Sequence, residues 1–367
     1  MVQAGPEIPA EIPAKAPARH KAHVLARLWP FFLAAACIFF ATLLYFSYIR
    51  RAHPAAELTA HSDYVDSAEC EECHQEIAAT YRKTGMGRSF YKPTAANVIE
   101  DYAKHNTFDH AASGMQYRMI QRDGRFFQRR STPGLNGAET NVMEEPVDYI
   151  VGSGNHARAY LHRDTQGRLV ELPVSWYVEQ SGYWAMTTSF DRPDQTDMHG
   201  VINAQCMSCH NGYPQLADAA ARTGVNDNRF PAKLPEGIDC QRCHGPGRAH
   251  IEAANATGAH METIRASIVN PAKLSRERQM DVCMQCHLET SSPHAPAEIR
   301  AYERDMFSFR PGEALTDYKT FFERVRGPKA DDFQNAHAAY GLRKSACYLQ
   351  TQMTCLTCHN PHDVPHG

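Results

Sequence analysis

Cysteine and histidine carry the chemistry in this sequence, and their spacing is regular. The pattern C-x-x-C-H occurs five times: Cys70, Cys73 and His74 in CEECH; Cys206, Cys209 and His210 in CMSCH; Cys240, Cys243 and His244 in CQRCH; Cys283, Cys286 and His287 in CMQCH; and Cys355, Cys358 and His359 in CLTCH. Ten of the twelve cysteines lie in these motifs. Residues at i, i+3 and i+4 share one face of a helical turn. Two thiols so placed meet the two vinyl groups along one haem edge as thioethers, and the histidine rises beneath the iron as an axial ligand. Asp66 and Glu69 have the capping-box spacing that would start the first such turn. Structural zinc also uses C-x-x-C units, but it does not require a histidine after every second cysteine. A redox dithiol needs one motif in an α/β setting, and disulfides impose no histidine at all. The expected cofactor is haem c, five copies, covalently attached. The two remaining cysteines, Cys37 and Cys347, read as inert buried thiols.

Each iron takes a sixth ligand or keeps an open position. His250 follows His244 by six residues in CHGPGRAH, where the Gly-Pro-Gly turn ends the motif helix and sends the histidine toward a neighbouring haem. His362 in CHNPHD repeats this on a shorter tether. His110, His156 and His337 sit beside small residues that would let a flat macrocycle approach. Met86, flanked by glycines in TGMGRS, is a thioether candidate for the first haem. Arg88, Arg158, Arg248 and Arg343 are candidate partners for haem propionates.

The elements that must position these groups divide unevenly. Residues 28–49 form an uncharged apolar run long enough to cross a bilayer. Lys15, Arg19, Lys21 and Arg27 precede it, which favours a cytoplasmic N-terminus and an external remainder. The run is long for a cleaved signal peptide. The expected organisation is a disordered cytoplasmic tail (1–27), a transmembrane anchor (28–49), a linker (50–65), a first haem segment (66–112), a β-rich insert (113–198) and a four-haem domain (199–367). Within the insert, YRMIQRDGRFFQRR alternates around Asp123-Gly124, and turns are expected at Gly167 and Gly182. The fold class expected is mainly α and irregular, with that small antiparallel insert and one N-terminal transmembrane helix. Macrocycles would replace much of the aliphatic core in the haem-dense half. Charge is nearly balanced, 38 basic against 41 acidic residues, which offers no electrostatic footprint for nucleic acid.

The phrases CHGPGRAH, IVNPAKLSRERQMDVCMQCHLE, RKSAC and TCLTCHNPHD, with TGMGRSF, FDHAASG and VGSGNHARAYL, resemble a group of bacterial multihaem proteins carrying a cytochrome c-552/4 domain. The resemblance spans roughly residues 66 to 363. It implies haem-bearing electron transfer, and distal roles for Met86, His110, His250 and His337. Members often continue into tetratricopeptide repeats; no such repeat follows here, so a partner-binding role for repeats is not implied.

These observations predict a membrane-anchored, periplasm-facing pentahaem cytochrome of the bacterial inner membrane. It would pass electrons between a membrane partner and another redox carrier. The alternative is a multihaem reductase or oxidoreductase acting on a small nitrogen or sulfur compound at an iron with an open distal position. All five motifs end in histidine and no C-x-x-C-K occurs, which favours the carrier.

Overall fold

The computed structural model describes residues 38–40, 42, 63–212, 229–288, 298–301, 304–322 and 338–364. The tail at 1–27 and the anchor at 28–49, apart from residues 38–40 and 42, lie outside the described residues, as does most of the linker at 50–65. Among the described residues no helix is long and apolar enough to cross a membrane. Against the single-pass inner-membrane placement, the described residues offer no spanning helix, and that placement is not carried further.

The fold class also needs correction: the described chain is not mainly α. Thirteen strands form three antiparallel sheets. Strands β2 (Thr107–His110), β3 (Met115–Arg122), β4 (Arg125–Pro133) and β5 (Glu139–Pro146) make a meander. A seven-stranded sheet runs β1 (Phe90–Tyr91), β6 (Tyr149–Val151), β7 (Ala157–Arg163), β8 (Leu169–Glu171) and β11 (Gly200–Val201). In that sheet β9 (Val174–Tyr177) pairs with the other end of β7, and β10 (Tyr183–Met186) pairs with β9. The ribbon β12 (Glu298–Arg300) and β13 (Lys319–Phe321) lies in the haem-motif half. The helices are short because a C-x-x-C-H motif needs only about one turn to bring its three side chains together. They therefore add little helix however often the motif recurs.

The turns follow the sequence signals. Asp123 and Gly124 both have positive φ, 53° and 71°, as a two-residue hairpin between Arg122 and Arg125 requires. Gly182, at φ 94°, closes the β9–β10 hairpin beneath the Trp176 ring, where a Cβ would meet the ring at 2.1 Å. The sheets enclose one apolar cluster that includes Tyr117, Met119, Phe126, Tyr160, Trp176 and Trp184. A second cluster joins sheet residues Phe90, Tyr149, Leu161 and Leu169 to Ile202, Met207, Phe230, Leu234 and Phe307 of the motif half. A third, with Met280, Met284, Phe309 and Tyr318, supports the C-terminal motifs. Residues Ala60–Gly367 make one compact unit.

Candidate functional site

Each motif lies on a short helix or turn with a capping side chain at or near its start. Helix α1 (Ser67–Cys73) carries the first motif; Asp66 caps it by accepting from the Ala68 amide at 3.1 Å. After α2 (Gln75–Tyr81), helix α3 (Ala204–His210) carries the second, capped by the Asn203 side chain. The third occupies Cys240 and α4 (Gln241–His244), where the Asp239 carboxylate accepts from the Gln241 amide at 3.0 Å. Helices α5 (Arg248–Asn255) and α6 (Met261–Ala266) follow. The fourth motif ends α7 (Arg276–His287), capped by Ser275, and the fifth sits on a 3-10 turn, Cys355–Thr357, with a capping box at Thr354. Such caps satisfy amide groups that a short helix cannot pair internally.

All ten motif cysteines are free thiols. Thiols of different motifs meet: Cys70 with Cys240, Cys209 with Cys286, and Cys283 with Cys355 are hydrogen-bonded pairs. In each pair the shared bond raises one thiol, Cys70, Cys209 or Cys283, and lowers its partner. Burial pushes the Cys243 thiol up to about 12. These bonds join the first motif to the third, and the second and fifth motifs to the fourth.

Imidazoles from different motifs also face one another. The rings of His244 and His362 are within 11° of parallel, with centroids 5.7 Å apart and Nε2 atoms 3.4 Å apart. The centroid separation exceeds the nitrogen gap, so the rings meet edge to edge. His244 Nδ1 donates to the Val269 carbonyl at 2.8 Å, which leaves a lone pair on Nε2 directed at His362. Burial holds both imidazoles below the ordinary histidine range. Tyr81 of α2 packs edge-on to His362 and donates to the Ile238 carbonyl. The rings of His74 and His250 are likewise near-parallel, 16° apart with centroids at 6.4 Å, and His250 Nδ1 donates to the Ile264 carbonyl at 2.9 Å. Two facing imidazoles form the donor set of an iron already held in a macrocycle plane. A bare structural metal needs about four protein ligands, and among the described residues no three of His, Cys, Asp and Glu converge on a metal position.

The other expected ligands are placed differently. His110, at the end of β2, is buried, and both ring nitrogens are engaged, Nδ1 with Ser113 at 2.7 Å and Nε2 with Asp191 at 3.2 Å. His156 is exposed at a turn before β7. His337 lies outside the described residues. Beside Met86 the backbone crosses closely: a Cβ on Gly237 would meet the Gly87 carbonyl at 2.4 Å. Met86 itself accepts from the Ile238 amide through its carbonyl, and the first-motif His74 faces His250 instead. Arg158 is committed to a buried ion pair with Glu100. His210 is held below the usual histidine range by burial, while His287 and His359 are exposed.

Sequence reasoning passed over the variable positions between the cysteines. Gln241, Arg242 and Gln285 are all buried, at 1%, 4% and 5% exposure. Arg242 donates to the Ser208 carbonyl of the second motif at 2.6 Å, and Gln285 of the fourth donates to the Arg242 carbonyl at 2.9 Å. No pattern in a single sequence separates these residues from filler.

A stretch of 167 residues is 26% identical to Multiheme cytochrome MtrA of Shewanella baltica (strain OS185), covering 43% of this chain and 45% of that protein. The chain therefore spans less than half the length of that relative. The likeness is to a multihaem cytochrome, the class of protein that repeated C-x-x-C-H motifs and facing imidazoles also describe. No family model matches the chain, and no solved structure matches it.

Proposed function

We propose that the chain is a pentahaem c-type cytochrome that exchanges electrons with redox partner proteins. The observation that carries this reading is the His244–His362 pair, contributed by two different motif segments and facing nitrogen to nitrogen. The cysteines of each motif would hold one haem by two thioethers, with His74, His210, His244, His287 and His359 as proximal ligands. His250 would complete the first iron and His362 the third. When bound, haem supplies one-electron exchange at its iron. The chain's own residues hold the imidazoles in one tautomer through Val269 and Ile264, and they bury the third motif away from water. Two protein ligands on an iron close both axial positions, which suits passing electrons rather than binding a substrate.

Haem staining after denaturing electrophoresis, with a haem count by pyridine haemochrome on the mature protein, tests the reading. Five covalent haems per chain are expected. A chain that matures without covalent haem overturns it.

A further inference from the structure

We infer that the third motif is the junction at which the other four meet, and that Gln241, Arg242 and Gln285 hold it there; this rests on the haem-bearing reading above. The third motif reaches every other one. Towards the first, the Cys70 and Cys240 thiols are hydrogen-bonded, and Gln241 grips Val65 from both sides, accepting from its amide at 3.0 Å and donating to its carbonyl at 2.8 Å. His250, carried on the helix after the third motif, reaches His74 of the first. Towards the second, Arg242 donates to Ser208 at 2.6 Å. Towards the fourth, Gln285 donates to the Arg242 carbonyl at 2.9 Å. Towards the fifth, His244 faces His362. The fourth motif, by comparison, meets the second through Cys286 and Ser208, the third through Gln285, and the fifth through Cys355 and Met280. Among the described contacts no other motif reaches all of its siblings.

The chemistry of attachment does not require this. The positions between the cysteines contribute nothing to the thioethers or the axial bond. A glutamine or arginine buried there loses its water and is stable only where fixed acceptors and donors replace it. Gln241, Arg242 and Gln285 each find such a replacement on the main chain of a neighbouring motif segment. They are therefore positioning residues, and the arrangement they fix is branched, with the third motif at its centre.

The test places a single reduced haem at the centre and counts the neighbours that respond. His362→Met substitutes a thioether ligand, which raises the potential of the third haem, so it is reduced first. Low-spin ferrous haem is diamagnetic, and its reduction removes a magnetic neighbour from every ferric haem beside it. In low-temperature EPR of the one-electron-reduced His362→Met protein, the relaxation of all four remaining ferric signals is expected to change. His250→Met, which moves the first electron to the first motif, is expected to change fewer signals, the third among them. A His362→Met protein in which only one or two signals respond has a row, not a junction, and overturns the inference. Should neither methionine variant fold, Gln285→Leu keeps the side-chain bulk and drops the bond to Arg242. It is expected to retain five haems and to weaken the coupling of the fourth haem to the third. Unchanged coupling in that variant overturns the clamp. Loss of covalent haem from the unmodified chain overturns the underlying reading instead, so the two failures are distinct.

Discussion

His250 and His362 each stand across from the proximal histidine of another motif, and this cross-bracing has a spectroscopic consequence. On the pentahaem reading proposed above, replacing His362 with alanine would remove one axial donor from the third iron, and replacing His250 would remove one from the first. Each single variant is expected to convert one low-spin ferric EPR signal to high-spin while all five haems stay attached, because the thioethers are untouched. An unaltered low-spin spectrum in either variant would remove that residue from the ligand set. The sequence singles out both because a glycine- or proline-containing turn follows a motif histidine within a few residues. His110 was not distinguishable in this way. Its small neighbours belong to a hairpin turn, and its partners, Ser113 and Asp191, come from a loop and from a residue 81 positions away. Gln241, Arg242 and Gln285 were invisible for a related reason: their partners are main-chain groups brought near only by the packing of several motifs.

At the scale of elements, the hairpins were readable and the extent of sheet was not. Asp123-Gly124, Gly167 and Gly182 all take positive φ at turns, as their composition demands. The short strands β1 and β11, two residues each, have no alternation to read; they exist because β6 and β8 offer them hydrogen-bonding edges. Gly182→Ala combines a disfavoured φ with a collision against Trp176, so it is expected to destabilise the protein by more than about 1 kcal/mol, read as a lowered urea midpoint. A loss within a few tenths of that variant's parent would show that the hairpin relaxes freely. The sheets also carry a pH-dependent pair, His162 Nδ1 and Asp148 at 2.8 Å. Burial opposes charge on His162, but the Asp148 hydrogen bond and the nearby carboxylates outweigh it and raise its pKa. Burial likewise acts to raise Asp148, yet His162 and the Arg163 amide bring it below its ordinary value. The raised histidine stabilises the fold below its unfolded pKa and loses that contribution as pH rises through the folded one. The lowered carboxylate stabilises above its unfolded pKa and loses its part as pH falls through the folded one. The pair is therefore fully effective between about pH 4 and 6.5. Urea midpoints measured across pH are expected to peak in that window, and the peak is expected to flatten in His162→Gln.

Over the whole molecule, the apolar cores are unequally shared between the two halves. The largest cluster, from Tyr117 to Met198, is built wholly from the sheet region, with three tryptophan and tyrosine rings, Tyr160, Trp176 and Trp184, within 5.5 Å of a neighbour. The cluster under the C-terminal motifs is smaller and rests on methionines and one phenylalanine–tyrosine contact. Haem contributes apolar surface to the motif half when bound, and nothing comparable replaces it in the unloaded chain. Local stability follows buried apolar contact, so segments short of it open first. Chain produced without haem attachment is thus expected to lose the motif segments first under limited proteolysis. A resistant fragment covering most of the strands from Phe90 to Val201 is expected to persist, and the fully loaded protein should resist cleavage throughout. Mass spectrometry of the digests decides the matter. Equal rates of loss across the unloaded chain would show that the cluster shared by Phe90, Tyr149, Met207 and Phe307 couples the two halves into one cooperative unit. Survival of the motif segments instead would mean that their helices fold on capping and inter-motif hydrogen bonds alone.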